Sequence, residues 1–238
     1  MNEAILRVLG KRDESADTRS FMFEPADGMN WEAGQYLIMK LDCPGDDRKG
    51  IRSFSIASSP TEKIIMITTR LRSGSSFKQR LSTLTTGDEV RVTGPMGRFL
   101  FHHDERPALF IAGGIGVTPF RSILKHSIDT GRRTSTTLVV SDRTPELFVF
   151  RDEFNLWQKE NSWLKVYRTV TRLEAGSEKW NGHTGRIDQS WITEICPQVA
   201  EATVYCAGPP TFVQSTIAML RSMNIEQGHI RTERFTGY

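Results

Sequence analysis

The spacing of apolar residues changes once along this chain, near residue 103, and the change limits the folds open to it. Up to about Phe101, short apolar segments alternate with turn residues, which is typical of a small antiparallel barrel. From about Glu105, apolar segments alternate with helix-like ones, which indicates a parallel sheet with helices on both faces. We therefore predict a β domain and then an α/β domain: a six-stranded antiparallel Greek-key barrel over residues 1–103 and a Rossmann-like domain over residues 104–238.

The individual elements are predicted from apolar runs and from the glycines and prolines between them. Barrel strands are predicted at residues 4–8, 20–23, 35–41, 52–57, 63–71 and 89–94, with one helix at 75–84. In the second half, strands are predicted at 108–112, 136–141, 164–170, 203–207 and 229–235, and helices at 119–130, 151–160, 188–195 and 210–223.

Composition excludes several classes of protein. The chain has 238 residues, of which 38% are hydrophobic and 25% charged, as in a globular protein with an apolar core. It has no apolar run long enough for a membrane span, and its net charge of +3 is too small to indicate nucleic-acid binding. Because its first residues lack an apolar stretch, we expect no signal peptide. The cysteines Cys43, Cys196 and Cys206 lack metal or disulfide spacing, so we expect a cytoplasmic protein without a metal site.

The segment FIAGGIGVTPFRSIL, residues 110–124, has the order strand, glycine turn, helix. Without side chains, its glycines allow backbone N–H groups to approach an anion closely. These glycines are Gly113, Gly114 and Gly116. We predict Thr118 as the N-cap and Pro119 as the first helical residue, with the positive end of the helix dipole at the turn. The pattern indicates a phosphate site, although a tight strand-to-helix connection alone would have the same glycines.

A second group of candidate residues lies in the barrel half. On the strand IRSFSIASSP, Arg52 suits a pyrophosphate, the Phe54 ring suits stacking on an isoalloxazine, and the Ser55 hydroxyl suits a ring nitrogen. Farther along, the turn at residues 74–76 precedes a short helix and forms a second anion cradle. An arginine, an aromatic residue and a serine on one strand also occur on ordinary sheet surfaces.

Five motifs in order, RSFS, GSS, GPMGRF, AGGIGVTP and AGPP, resemble those of the ferredoxin–NADP reductase superfamily over nearly the whole chain. Members of that family have an N-terminal flavin-binding barrel and a C-terminal nicotinamide-binding α/β domain. The resemblance implies two cofactors, FAD and either NADPH or NADH. Because clustered cysteines are absent, we expect no iron–sulfur cluster on this chain.

The resemblance also implies site residues. Those implied for FAD are Arg52, Ser53, Phe54, Ser55, Thr69, Arg70, Gly74, Ser75 and Ser76. Those implied for the nicotinamide nucleotide are Gly113, Gly114, Gly116, Thr118, Pro119, Gly208, Pro209 and Pro210. Two positions depart from the family: Phe54 replaces the usual tyrosine, and Ala207 stands where many relatives have a cysteine. We expect the neighbouring Cys206 to be a core residue, since it points to the other face of its strand.

The ending RTERFTGY resembles relatives in which a terminal aromatic residue covers the flavin. Phe235 and Tyr238 are both candidates for that stacking, with Tyr238 favoured because a carboxy-terminal residue has less reason to be in the core. We predict Ser55 and Tyr238 as catalytic residues. Hydride transfer needs no protein acid or base, because the cofactors carry the chemistry and the protein aligns them.

The choice between NADH and NADPH depends on the end of the second strand of the α/β domain. There Asp142 suits a ribose hydroxyl, whereas Ser141 and Arg143 suit a 2′-phosphate. Arg172, which follows the next strand, favours the phosphate as well.

These expectations describe a flavin-dependent NAD(P)H oxidoreductase that passes hydride to FAD and then electrons to a separate acceptor, most naturally a ferredoxin or flavodoxin. The basic stretch Arg70, Arg72, Lys78 and Arg80 is either a solvated face or a docking site for such an acidic carrier. A reductase of a small acceptor, such as free flavin, a ferric chelate or a quinone, is the alternative. A binding module without chemistry is disfavoured because Arg52, Ser55 and both glycine turns are retained.

Overall fold

The computed structural model of the protein describes residues 3–71, 74–102, 106–173 and 179–236. Contacts divide the chain into two compact units. The first consists of Met1–Phe101 together with Thr118–Asp129, and the second of His102–Val117 together with Thr130–Tyr238.

The first unit is built on an antiparallel sheet. Its elements are β1 (Glu3–Ser15), β2 (Thr18–Glu24), β3 (Tyr36–Lys40), β4 (Ile51–Ser55), β5 (Ile65–Arg70), α1 (Ser76–Thr83) and β6 (Glu89–Met96). The strand order is β4-β3-β6-β1-β2-β5, so β6 lies between β3 and β1 as in a Greek-key arrangement. Just beyond β4, the amide of Ala57 donates to Met66 of β5 at 2.7 Å and links the two edges. All six predicted strands and the single predicted helix are confirmed.

Alternation along the strands supplies the core of this unit. Leu6 and Val8 of β1, Phe21 and Phe23 of β2, and Phe77 of α1 are at most 1% exposed. Each such side chain contributes about 1.5–3 kcal/mol relative to an exposed one. The packing fixes β4 and the start of α1, which carry the first candidate site.

Helix α2 (Thr118–Asp129) also belongs to the first unit, although it follows the first strand of the second. Ser122 donates to the carbonyl of Ser58 at 2.6 Å, and the ring of Phe120 lies 5.7 Å from that of Phe99. Gly131, with φ +70°, follows the helix and ends it as predicted.

The second unit is a parallel sheet with helices. Its elements are β7 (Ala108–Gly113), β8 (Thr136–Asp142), α3 (Arg151–Glu160), β9 (Leu164–Val170), β10 (His183–Thr184), α4 (Gln189–Ile195), β11 (Thr203–Gly208), α5 (Pro210–Ser222) and β12 (Ile230–Arg234). The strand order is β10-β9-β8-β7-β11-β12. The predicted class, an antiparallel barrel-type sheet and then a Rossmann-like domain, is confirmed.

The short strand β10 escaped prediction, because two residues give no periodicity. Among the described residues, no helix is long and apolar enough to cross a bilayer.

Candidate functional site

In the first unit, the candidate phosphate ligand Arg52 is bound by a carboxylate from its own unit. Its Nη1 and Nη2 atoms donate to Oδ2 and Oδ1 of Asp46 at 2.9 and 2.8 Å. The same nitrogens donate to the carbonyl of Ile51 at 2.8 Å and to Asp47 at 3.1 Å. The guanidinium carbon lies 5.2 Å from the centre of the Phe77 ring. Four of its five N–H groups are thus engaged, which leaves Nε–H.

The second predicted anion cradle lies beside Arg52. Asp46 joins the two, since its Oδ1 accepts from Arg52 and, at 3.0 Å, from the hydroxyl of Ser76. Ser75 caps α1 by accepting from the amide of Lys78 at 3.3 Å. The first-turn amides of α1 have no acceptor within the helix, and a Cβ at Gly74 would meet open space. The amides at the start of α1 and the remaining Nε–H of Arg52 are donors of the kind that a pyrophosphate such as that of FAD accepts from.

The remaining residues of the RSFS motif lie on two faces of β4. Phe54 shares the face of Arg52, and its ring lies 5.8 Å from that of Phe77. Ser53 and Ser55 alternate to the other face, where Ser53 is exposed and Ser55 is buried. The structure therefore brings Arg52 and Phe54 together but separates them from the two serine side chains.

On β5, Thr69 and Arg70 are buried, and Arg70 Nε lies 3.7 Å from Oδ1 of Asp17. Lys78 is buried as well, and Arg72 lies outside the described residues. Of the three described members of the basic stretch, Arg70 and Lys78 are buried and only Arg80 is exposed, so these three do not form one solvated face.

In the second unit, the strand order reverses between β7 and β11. After β7, the chain adds β8, β9 and β10 on one side of that strand. It then returns and adds β11 and β12 on the other side. Open parallel sheets bind ligands in the crevice at the carboxyl ends of the two strands that flank such a reversal. Those ends are Gly113 and Gly208, two of the four glycines predicted for the nicotinamide nucleotide. Pro209 and Pro210 follow at the start of α5, as cap and first residue.

The glycines of the turn are needed chiefly for close packing. A Cβ at Gly113 would lie 2.7 Å from the ring of Phe212, and one at Gly116 would lie 2.2 Å from the carbonyl oxygen of Ala207. Gly114 has φ +54°, a conformation that favours glycine. The turn is thus held against the end of β11 by contacts that larger residues would break.

The prediction that Thr118 caps the helix and that Pro119 is its first residue was wrong. A 3₁₀ turn at Gly114–Val117 leads directly into α2, which begins at Thr118. The helical segment therefore starts at Gly114, so the amides of Gly114 and Gly116 lie in its first turn, where a helix offers no acceptor of its own. The three glycines and their amides fit a nucleotide pyrophosphate.

Arginines gather at the carboxyl ends of three neighbouring strands. Ser141 is buried in β8, and Arg143 follows that strand. The amide of Arg172, after β9, donates to the carbonyl of Arg143 at 2.8 Å. Arg186, which sequence reasoning missed, follows β10 next to Gly185, whose amide donates to Val170 at 2.8 Å. All three arginines are exposed, and their chemistry fits a 2′-phosphate. Sequence reasoning missed Arg186 because it missed strand β10, which Arg186 follows.

The last strand adds one acid that the sequence analysis did not single out. Glu233 of β12 pairs in register with Ala207, one residue before Gly208. Burial raises its pKa to about 7. Phe235 is half-buried, and its amide donates to the carbonyl of Gly208 at 2.9 Å. Tyr238 lies outside the described residues.

Cys206 is a core residue, as predicted. It is fully buried among Leu109, Ile111 and Val204, and burial raises its pKa to about 12. A thiol in that environment is not nucleophilic.

A flavin-type anion site and a nicotinamide-type crevice define the class as flavin- and dinucleotide-binding oxidoreductases. Family models agree: residues 6–101 match the oxidoreductase FAD-binding domain and residues 110–217 the oxidoreductase NAD-binding domain.

The chain is 30% identical to ferredoxin–NADP reductase B of Sorangium cellulosum, over 96% of each protein. It is 26% identical to the glycine betaine monooxygenase reductase subunit of Chromohalobacter salexigens, of which it spans 61%. Among solved structures, a ferredoxin NADP⁺ reductase from Neisseria gonorrhoeae with bound FAD and NADP shares the fold, with a TM-score of 0.82 and 18% identity over 98% of this chain and 99% of that one.

The chain belongs to the ferredoxin–NADP reductase family. It is an FAD-dependent NAD(P)H reductase.

Proposed function

We propose that this protein is an NADPH-oxidising flavoenzyme that supplies electrons to a small acidic carrier protein, a ferredoxin or flavodoxin. The observation that carries the proposal is the pairing, within one chain, of an anion site at Arg52 and Ser76 with a separate crevice at Gly113 and Gly208. Alignment over 96% of the chain with a protein named ferredoxin–NADP reductase supports it.

Each of the two domains predicted from the sequence binds one cofactor in this proposal. The barrel domain, residues 1–103, binds FAD through Arg52 and the start of α1, with Thr69 and Arg70 along the flavin nucleotide. Phe54 on one face of β4 and Ser55 on the other are the two candidates for contact with the flavin ring. The chemistry that FAD would supply there is acceptance of a hydride and release of electrons to the acceptor.

The α/β domain, residues 104–238, binds the nicotinamide nucleotide at the glycine turn and the end of β11. Phe235 and Tyr238 are the candidates for the aromatic residue that covers the flavin. The three free cysteines support a cytoplasmic location.

NADPH is the proposed electron donor, because arginines follow three adjacent strands. Arg143, Arg172 and Arg186 offer three guanidinium groups to a 2′-phosphate. Asp142, the residue suited to a ribose hydroxyl, is buried and accepts from the amide of Arg143 at 2.8 Å.

A spectrum of the purified protein tests the proposed function. We expect flavin absorbance that bleaches under anaerobic conditions with NADPH, and more slowly with NADH. A protein that binds FAD but is bleached by neither nucleotide would overturn the proposal.

A groove of about 600 Å³ on the first unit is the proposed docking surface for the carrier. Lys40 and Arg91 face each other across β3 and β6, an unfavourable pairing of like charges, and Lys49 and Arg80 line the same groove. Three acids line the groove against these four basic residues: Asp46 is engaged by Arg52, Glu89 lies 3.6 Å from Arg7, and Asp42 is exposed. The groove therefore offers positive charge to an acidic surface.

Charge reversal tests this surface. In K40E/R91E we expect a higher KM for the carrier and a weaker dependence on salt, with reduction of ferricyanide unchanged. The matched control K159E/K165E reverses two exposed lysines of the second unit. If both double variants behave alike, the docking surface is elsewhere. If the wild-type enzyme reduces free flavin or a quinone but no carrier, the small-acceptor alternative replaces the proposal.

A further inference from the structure

The carboxylate of Asp46 connects three separate segments of the first unit. Its side chain is 2% exposed. The amides of Arg48 and Gly50 donate to it at 3.0 and 2.9 Å, both Nη atoms of Arg52 donate to it, and the Ser76 hydroxyl donates to it at 3.0 Å. One buried side chain thus joins its own loop, strand β4 and the first residue of α1.

The position of this carboxylate is fixed by its loop. Gly50 has φ +70°, and a Cβ there would lie 2.0 Å from the carbonyl oxygen of Leu41, so the backbone that donates to Asp46 has little freedom. The guanidinium of Arg52 and the other donors hold the pKa of Asp46 well below its usual range. Asp46 is therefore a fixed anion around which Arg52 and Ser76 are arranged.

The Arg52 side chain gains its orientation from this anion. A two-point contact with a carboxylate defines the plane of a guanidinium. The ring of Phe77, 5.2 Å from the guanidinium carbon, covers one face of that plane. Holding a free arginine side chain in one geometry costs rotamer entropy, and a preformed contact removes that cost from ligand binding.

We propose that Asp46 is a positioning residue for the pyrophosphate of FAD. It acts through Arg52, whose guanidinium it holds by both Nη atoms in the geometry that receives the cofactor. The inference rests on the proposed FAD site and is independent of the electron acceptor. A competing role predicts the opposite effect: a carboxylate that merely occupies the phosphate position would weaken FAD binding in the native protein.

The test is titration of apoprotein with FAD and with riboflavin, which lacks phosphate, followed by flavin fluorescence. In D46N we expect the Kd for FAD to rise roughly tenfold, the loss of about one charge-assisted hydrogen bond, and the Kd for riboflavin to stay unchanged. The matched control is D47N, because Asp47 is 77% exposed and makes a single contact with Arg52 at 3.1 Å. Its affinity for FAD should remain that of the wild type.

A double variant separates positioning from general support of the fold. If Asp46 acts through Arg52, D46N/R52A binds FAD no more weakly than R52A alone. Tighter FAD binding in D46N, equal losses for FAD and riboflavin, or additive losses in the double variant would each overturn the inference. If D46N does not fold, D46E keeps the charge but moves the carboxylate, and the same comparison applies. Wild-type apoprotein that binds no FAD contradicts the proposed function instead.

Discussion

Arg121 on α2 donates from its two Nη atoms to both carboxylate oxygens of Glu62, at 2.9 and 3.1 Å. Arg121 is 4% exposed and also donates to the carbonyl of Ala57 at 2.9 Å. The same Glu62 accepts from the amide of Ser59 at 2.7 Å, which closes a capping box. The pair ties α2 to the segment that joins β4 and β5.

Removal of Arg121 leaves Glu62 as a partly buried charge without its arginine. We expect R121A to lower the free energy of unfolding by about 3 kcal/mol, measured by urea denaturation. Lys125 pairs with Asp129 on the same helix and is more exposed than Arg121. We therefore expect K125A to lower the free energy of unfolding by less than about 1 kcal/mol. Similar losses in the two variants would contradict a special role for the Arg121–Glu62 pair.

The glycine turn permits a test in which only one of two substitutions can be rescued. In G113A the new Cβ meets the ring of Phe212, a side chain, whereas in G116A it meets the backbone of Ala207. Both should weaken NADPH binding and lower the Tm. We expect F212A to restore part of the loss in G113A and none in G116A. Rescue of both would mean that the turn moves freely, and calorimetry with nucleotide titration distinguishes the outcomes.

Glu233 makes stability depend on pH in a predictable direction. Its pKa is raised from 4.5 to about 7 by burial, so the unfolded chain ionises at lower pH than the folded one. Its contribution to stability is fully present below about 4.5 and is lost as pH rises through 7. In apoprotein, E233Q should equal the wild type near pH 4.5 and exceed it by about 3 kcal/mol at pH 8. E201Q, at an exposed position, should show no such difference, and parallel curves for E233Q and wild type would contradict the assignment.

The arginines at the strand ends should discriminate between nucleotides. In R143A/R172A we expect kcat/KM for NADPH to fall roughly a hundredfold, about tenfold for each lost contact with a charged group, with NADH unaffected. In R186A we expect kcat/KM for NADPH to fall about tenfold and kcat/KM for NADH to stay unchanged. Arg133, an exposed arginine before β8 at the opposite edge of the sheet, provides the control R133A. Equal losses with NADH would place these arginines outside the 2′-phosphate site.

Sequence patterns were sufficient for most of the fold because its strands obey simple rules. In β1, apolar residues such as Leu6 and Val8 alternate with polar ones, which indicates a half-buried strand. The continuous apolar run of β7 indicates a fully buried strand. The glycine motifs at Gly113 and Gly208 lie where strands end, as the sequence indicated. Strand β10 was missed because His183–Thr184 is too short to show a period.

Partnerships between distant residues could not be predicted. Nothing in the sequence couples Asp46 to Arg52 rather than to solvent, or places Arg70 and Lys78 inside the fold. Glu233 looked like any acid of an alternating strand, because its raised pKa depends on neighbours brought by the fold. The cap at Thr118 failed because Gly114–Val117 begins helical turns earlier than local propensity indicates.

The membership of α2 in the first unit has a consequence for how the chain is made. When residue 101 leaves the ribosome, the residues of all six strands of the first sheet have been synthesised. The hydrogen bonds from Arg121 to Glu62 and from Ser122 to Ser58 cannot yet form. Those partners emerge only after β7, the central strand of the other unit, has been synthesised. The first unit is therefore not one continuous segment of the chain. A fragment that ends at Phe101 would have every strand of the first sheet and would still lack helix α2.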